Sequence, residues 1–136
     1  MTLTDTGPLV ALINRNDPNH AKCVAATKLL PSGPLITTWP CFTEAMYLLF
    51  RAGGFAGQEM LWKLLAAGRL ALHEVVAIEV DRMFELMGRY RDKPMDLADA
   101  SVVAASESLQ TRCLFTLDSD LHVYRRADSV AFHIVP

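Results

Sequence analysis

The chain has 136 residues, 51% of them hydrophobic and 21% charged, with a formal net charge of −2. That length is the modal size of one domain and the apolar content suffices for one core, so disorder and a separate cofactor-binding half are excluded, and a single domain over residues 1–136 is expected. The longest uninterrupted apolar run, Ala45 to Phe50, is far short of the ~20 residues of a membrane span, and MTLTDTGPLV at the start has no basic leader region, so a cytoplasmic protein without a membrane partner is expected.

Met1 to Thr4 reads as a short strand ending at Asp5, followed directly by a helix over Pro8 to Asn14, with proline in its first turn where a missing amide hydrogen costs nothing. Asp17-Pro18 starts a second helix through Leu30, and Pro31-Ser32-Gly33-Pro34 ends it before a strand at Leu35-Ile36-Thr37. Thr38 caps a helix to about Arg51, Gly53-Gly54 breaks it, and another runs from Gln58 to Ala67 with Gly68 past its end. A third strand follows at Leu70 to His73, then helices over Ala77 to Tyr90 and Leu97 to Leu109. Two more strands are predicted at Cys113 to Thr116 and Ala131 to Ile134. Short, nearly all-apolar strands separated by helices imply parallel pairing with both faces covered, hence an α/β/α sandwich. The three cysteines, Cys23, Cys41 and Cys113, are odd in number and too far apart for a C-x-x-C pair, which excludes a disulfide framework and fits a reducing compartment.

In open parallel sheets ligands bind beyond the carboxyl ends of the strands, and that rule locates the acids. Asp5 follows the first strand and Asp118 the fourth, so both project from one edge if those strands are neighbours. Asp96 and Asp99 open the helix feeding the fourth strand, and a spacing of three puts them on one side of its first turn. Glu44 is the only charged residue between Ser32 and Arg51, in a helix expected to be half buried, with no nearby Lys or Arg to pair it. Gathered carboxylates repel and bind protons unless a cation replaces their hydration; oxygen ligands without His or Cys favour Mg²⁺ or Mn²⁺ over Zn²⁺. Each acid also has a duller role. Asp5, Asp96 with Asp99, and Asp118 or Asp120 all stand where helix N-caps are expected, with Met95 and Ala100 as a weak hydrophobic staple. The conjunction of four distant segments favours function over capping alone.

The negative net charge opposes a nucleic-acid partner only on average. Setting aside Asp5, Glu44, Asp96, Asp99 and Asp118 leaves 10 acidic against 13 basic residues, nine of the latter Arg, the better phosphate fork. His20, His73, His122 and His133 are isolated, and read as surface or packed residues. Met46, Met60, Met83, Met87, Trp39, Phe42, Tyr47 and Phe84 read as core or interface. Gly53-Gly54 lacks the Lys and Ser/Thr of a phosphate loop, and Asp5-Thr6-Gly7 lacks the all-β setting of an aspartic protease.

TDTGPLVALI, TEAMYLL, PMDLADASVVAASE and FTLDSDLHVYR together resemble a PIN domain, specifically the toxin ribonucleases of bacterial VapBC toxin/antitoxin pairs. The likeness spans nearly the whole chain; each segment alone is weak and the set is specific. It implies a three-layer α/β/α sandwich with a central five-stranded parallel sheet. It further implies metal-binding roles for Asp5, Glu44, Asp99 and Asp118, with Asp96 a frequent additional acid, and supporting hydroxyls at Thr6 and Thr116. The implied activity is Mg²⁺- or Mn²⁺-dependent endonucleolytic cleavage of RNA, with metal lowering the pKa of the attacking water. Asp5 and Asp99 are the leading ligands, Glu44 holds or orients the water, and Asp118 completes a second metal position. Doubled Asp118 and Asp120 leaves the fourth acid open. The implied partners are RNA, a small cognate antitoxin and a second copy, the helices around Leu48 and Leu61 offering apolar surface. Two alternatives stand beside it: a small metal-dependent phosphohydrolase, for which Asp118-x-Asp120 lacks a downstream Lys, and a non-catalytic PIN fold that binds RNA or protein.

Overall fold

A computed structural model of the chain describes residues 1–128 and 130–136. Its sheet is built from β1 (Thr2–Thr4), β2 (Leu35–Thr37), β3 (Leu70–Leu72), β4 (Cys113–Phe115) and β5 (His133–Val135). All are parallel, in the spatial order β3-β2-β1-β4-β5. Parallel neighbours require crossovers. These are supplied by α1 (Thr6–Ile13), α2 (His20–Thr27), α3 (Trp39–Gly53), α4 (Phe55–Ala66), α5 (Ala77–Arg89) and α6 (Leu97–Ser108). The three-layer α/β/α sandwich expected from the sequence is the one found.

Register divides the two faces. Leu3 pairs with Ile36 and Leu114, and Leu114 with Ile134, so these four share a side and pack with Leu86 of α5 and Val102 and Val103 of α6. Residues one step out of phase, Leu35, Leu70, Phe115 and Val135, meet α1, α2, α3 and α4 on the other side. Helix α6 is buried on every side from Ala98 to Ser106, which its run of Ala, Ser and Val permits because no side chain there is large. Helix α3 touches both α1 and α6, so it joins the two layers.

Several boundaries differ from those read in the sequence. Helix α1 begins at Thr6, because Asp5 caps it directly. Helix α2 is confined to His20–Thr27, because the Asp17 side chain accepts from the Asn19 amide and forms a turn where a helix start was expected. Helix α4 starts at Phe55, since Gly54, at φ 76°, reverses the chain in a single residue. A 3₁₀ helix, Ser119–His122, follows Asp118. Strand β5 lies two residues later than expected, and β3 and β4 each end one residue earlier.

Candidate metal centre

Connections from β1 run toward β2 and β3 on one side, whereas β4 and β5 occupy the other, so the order reverses at β1. Such a reversal leaves a crevice beyond the carboxyl ends of β1 and β4. Asp5 enters it because its amide still bonds the Phe115 carbonyl, at 3.0 Å, extending the β1–β4 ladder by one residue. The Asp5 carboxylate caps α1: Oδ1 accepts from the Thr6 amide at 2.7 Å. Oδ2 accepts from the Thr116 hydroxyl at 2.9 Å, and the Cys41 thiol donates to Oδ1 at 3.6 Å. Of the four or so acceptor positions of a carboxylate, three are filled, which leaves about one for an incoming ligand.

The other acids are held as firmly. Asp96 Oδ1 accepts from the Asp99 amide at 2.8 Å and Asp99 Oδ2 from the Asp96 amide at 3.4 Å, a reciprocal box at the start of α6. The Thr116 hydroxyl accepts from the Asp118 amide at 3.0 Å, and Asp118 Oδ1 accepts from the Asp120 amide at 2.9 Å. Capping and convergence are thus properties of the same residues. Asp5, Asp99 and Asp118 each bring a carboxylate oxygen to within 4.8 Å of the others. Glu44 and Asp96 join them in lining a cleft of about 280 Å³, with Thr6 and Leu48. Asp120 is not among the lining residues; it donates its amide to Asp118, and of the two it is Asp118 that lines the cleft.

Electrostatics report the crowding. Asp99 has its pKa pushed up to about 7, by burial first and then by the charges of Asp96 and Asp5. Burial raises Asp5 as well, against its three hydrogen bonds. Glu44 is raised by partial burial and by Asp96 and Asp5. No cation of the chain pairs with any of these carboxylates among the described residues. An all-oxygen, mutually repelling set fits a divalent ion such as Mg²⁺ or Mn²⁺.

Helix α3 is half buried, as expected, and Glu44 stands on its open side: α3 turns Cys41, Phe42, Ala45 and Leu49 inward, and Glu44 looks across the cleft, where water tolerates an unpaired charge. Leu61 itself is fully buried among Leu9, Phe42 and Leu70, while the helices around Leu48 and Leu61 do offer apolar surface: exposed on α3 and α4 are Trp39, Tyr47, Leu48, Phe50, Phe55, Met60 and Trp62. Phe84, read as core or interface, is not core: it is 84% exposed on α5. Sequence reasoning also missed Cys41, whose fully buried thiol faces Asp5 and whose pKa burial pushes up to about 12. Its position one helical turn before Glu44 was the available signal. The larger cleft, about 400 Å³ beside α5 and α6, is lined by Arg82 already paired with Glu107 and Glu85, so its charges are spent on one another.

No protein-family model matches the chain. Over 119 residues, 85% of either chain, it is 25% identical to Ribonuclease VapC26 of Mycobacterium tuberculosis. Among solved structures it is similar to VapC20 of Mycobacterium tuberculosis, a toxin that cleaves the sarcin-ricin loop, with a TM-score of 0.80 and 18% identity over 88% of this chain and 92% of that one. It is also similar to VapBC2 of Rickettsia felis bound to a DNA fragment from their promoter, with a TM-score of 0.70 and 12% identity over 99% and 98%. A toxin-antitoxin complex from Klebsiella pneumoniae superposes with a TM-score of 0.66 and 16% identity, covering 88% of each chain.

Proposed function

We propose that this chain is a PIN domain of the VapC type, a metal-dependent endoribonuclease serving as the toxin of a toxin/antitoxin pair. The observation that carries the activity is the meeting of Asp5, Asp99 and Asp118 within 4.8 Å at the point where the strand order reverses. Those three residues, with Asp96 and Glu44 at the rim, would hold Mg²⁺ or Mn²⁺. A divalent ion bound there supplies charge to offset that developing on the phosphodiester and lowers the pKa of a coordinated water.

The chain's own residues do the remainder. Thr6, Thr116 and Cys41 fix the Asp5 carboxylate in one orientation, so no reorganisation is needed when substrate arrives. Glu44, exposed across the cleft and raised in pKa, accepts a hydrogen bond from the attacking water and orients it. Water oxygen bonds to phosphorus, one P–O ester bond breaks, and no covalent link to the protein forms. The partners of this reading are RNA, a small antitoxin covering the cleft, and a second copy meeting the aromatic surface of α3 and α4 around Phe50, Phe55 and Trp62. No helix among the described residues is long and apolar enough to cross a membrane, and an RNA substrate fits a cytoplasmic site of action.

The phosphohydrolase alternative needs Asp118 and Asp120 presented together, and Asp120 does not line the cleft. A non-catalytic module has no reason to keep five carboxylates in mutual repulsion. Replacing Asp5 by Asn should abolish Mn²⁺-stimulated cleavage of structured RNA while circular dichroism stays unchanged; EDTA should abolish it in the parent protein. Cleavage persisting in Asp5→Asn, or hydrolysis of a generic phosphate monoester in place of RNA, would overturn the proposal.

A further inference from the structure

Helix α3 carries more than Glu44 toward the cleft. On a helix of 3.6 residues per turn, Leu48 and Tyr47 stand one turn beyond Glu44, and Arg51 stands two turns beyond it within about 20° of the same line. Leu48 lines the cleft with Glu44, so the ridge is continuous with the acidic site. The Tyr47 ring is 60% exposed. The Arg51 guanidinium lies 5.8 Å from its centroid and donates to its hydroxyl from Nη1 at 3.4 Å. Arg51 makes no ion pair with an acidic residue among the described residues. A solvent-facing aromatic ring braced by a guanidinium without an acidic partner, on the ridge that leads from the acidic cleft, offers what an unpaired nucleotide needs: a face for its base and a fork for its phosphate.

We infer that Tyr47 and Arg51 form a stacking platform that holds one unpaired nucleotide next to the scissile phosphate. The inference rests on the ribonuclease reading. Tyr47 takes the base on its open face; Arg51 stiffens the ring and meets the adjoining phosphate. Because stacking is sequence-tolerant, the platform selects unpaired over paired nucleotides and not one base over another.

The test uses the full chain with Mn²⁺ and a set of short single-stranded oligoribonucleotides of one sequence, each with one abasic nucleotide. Tyr47→Ala should raise KM about 5- to 100-fold with little change in kcat, and Tyr47→Trp should restore it. One abasic position should impose the same penalty on the parent protein and none further on Tyr47→Ala, as expected when both changes remove one contact. Arg51→Gln should weaken the salt dependence of binding where Arg51→Lys does not. Unchanged KM in Tyr47→Ala, or a penalty independent of abasic position, would overturn the platform while leaving the nuclease intact. So would a shift of Tyr47→Ala to a smaller species in gel filtration, which assigns the ring to a contact between copies. If the parent protein cuts nothing, the nuclease reading falls, and anisotropy of the same oligonucleotides decides the platform separately: a base-position-specific loss in Tyr47→Ala upholds it, and no such loss ends it.

Discussion

Asp99→Asn should stabilise the metal-free protein while removing its response to metal. The Asp99 carboxyl rises from 3.8 to about 7, chiefly because burial and the charges of Asp96 and Asp5 oppose its ionisation. At 1.36 kcal/mol per unit, three units correspond to about 4 kcal/mol. Asp99 is only 8% exposed, but its carboxyl opens onto a wet cleft, and screening there halves the figure to about 2 kcal/mol. The sign follows from proton uptake. Below about pH 4 the group is protonated in both states; between about 4 and 7 the unfolded chain releases its proton and the folded chain keeps it, so this group's stabilising contribution is lost as pH rises. Asparagine escapes the penalty. In EDTA, Asp99→Asn should therefore melt about 6–10 °C above the parent at pH 8 and show no such advantage at pH 4. Adding Mn²⁺ should raise the parent's Tm by mass action and leave the variant nearly still. Scanning fluorimetry across pH with EDTA or Mn²⁺ measures both. A variant less stable than the parent at pH 8 in EDTA would refute the electrostatic reasoning.

Thr116→Val removes the hydroxyl that donates to Asp5 Oδ2 and accepts from the Asp118 amide, so Mn²⁺ affinity measured by calorimetry should fall about 10- to 100-fold with the fold retained; unchanged affinity would deny Thr116 its orienting part. Gly88 sits within α5 with open space where a Cβ would go, so Gly88→Ala should stabilise by about 0.5–1 kcal/mol in urea unfolding and leave cleavage untouched.

Much of the site could be read from the chain because its acids sit at element boundaries. Asp5 after an all-apolar strand, and Asp96 and Asp99 opening a small-residue helix, are placed by chain order and the edge rule alone. Glu44 lines the same cleft as these acids, on the open side of a half-buried helix. Helix α3 exposes Trp39, Tyr47, Leu48 and Phe50, so hydrophobicity does not mark its inner face, and only packing against α1 and α6 shows that Cys41 and Ala45 are the ones inside. The choice between Asp118 and Asp120 likewise depends on a backbone hydrogen bond, which spacing of two cannot reveal. Strand β5 slipped by two residues because a three-residue strand carries too short a pattern to fix its own ends. Phe84 shows how helical spacing alone leaves core and interface undivided: its side chain faces solvent.

Helix α6 sets how disturbances travel. Enclosed from Ala98 through Ser106, it has no compliant side into which an added methyl group could relax, and Asp99 rides at its leading end. A change as small as Ala105 to Val, deep in the interior and six residues beyond Asp99, would push the rod lengthwise or sideways and reach the rim as a displaced carboxylate. The molecule's tolerance to sequence drift is therefore uneven: generous along α5, and narrow along this one axle, whose bearing surfaces are alanines.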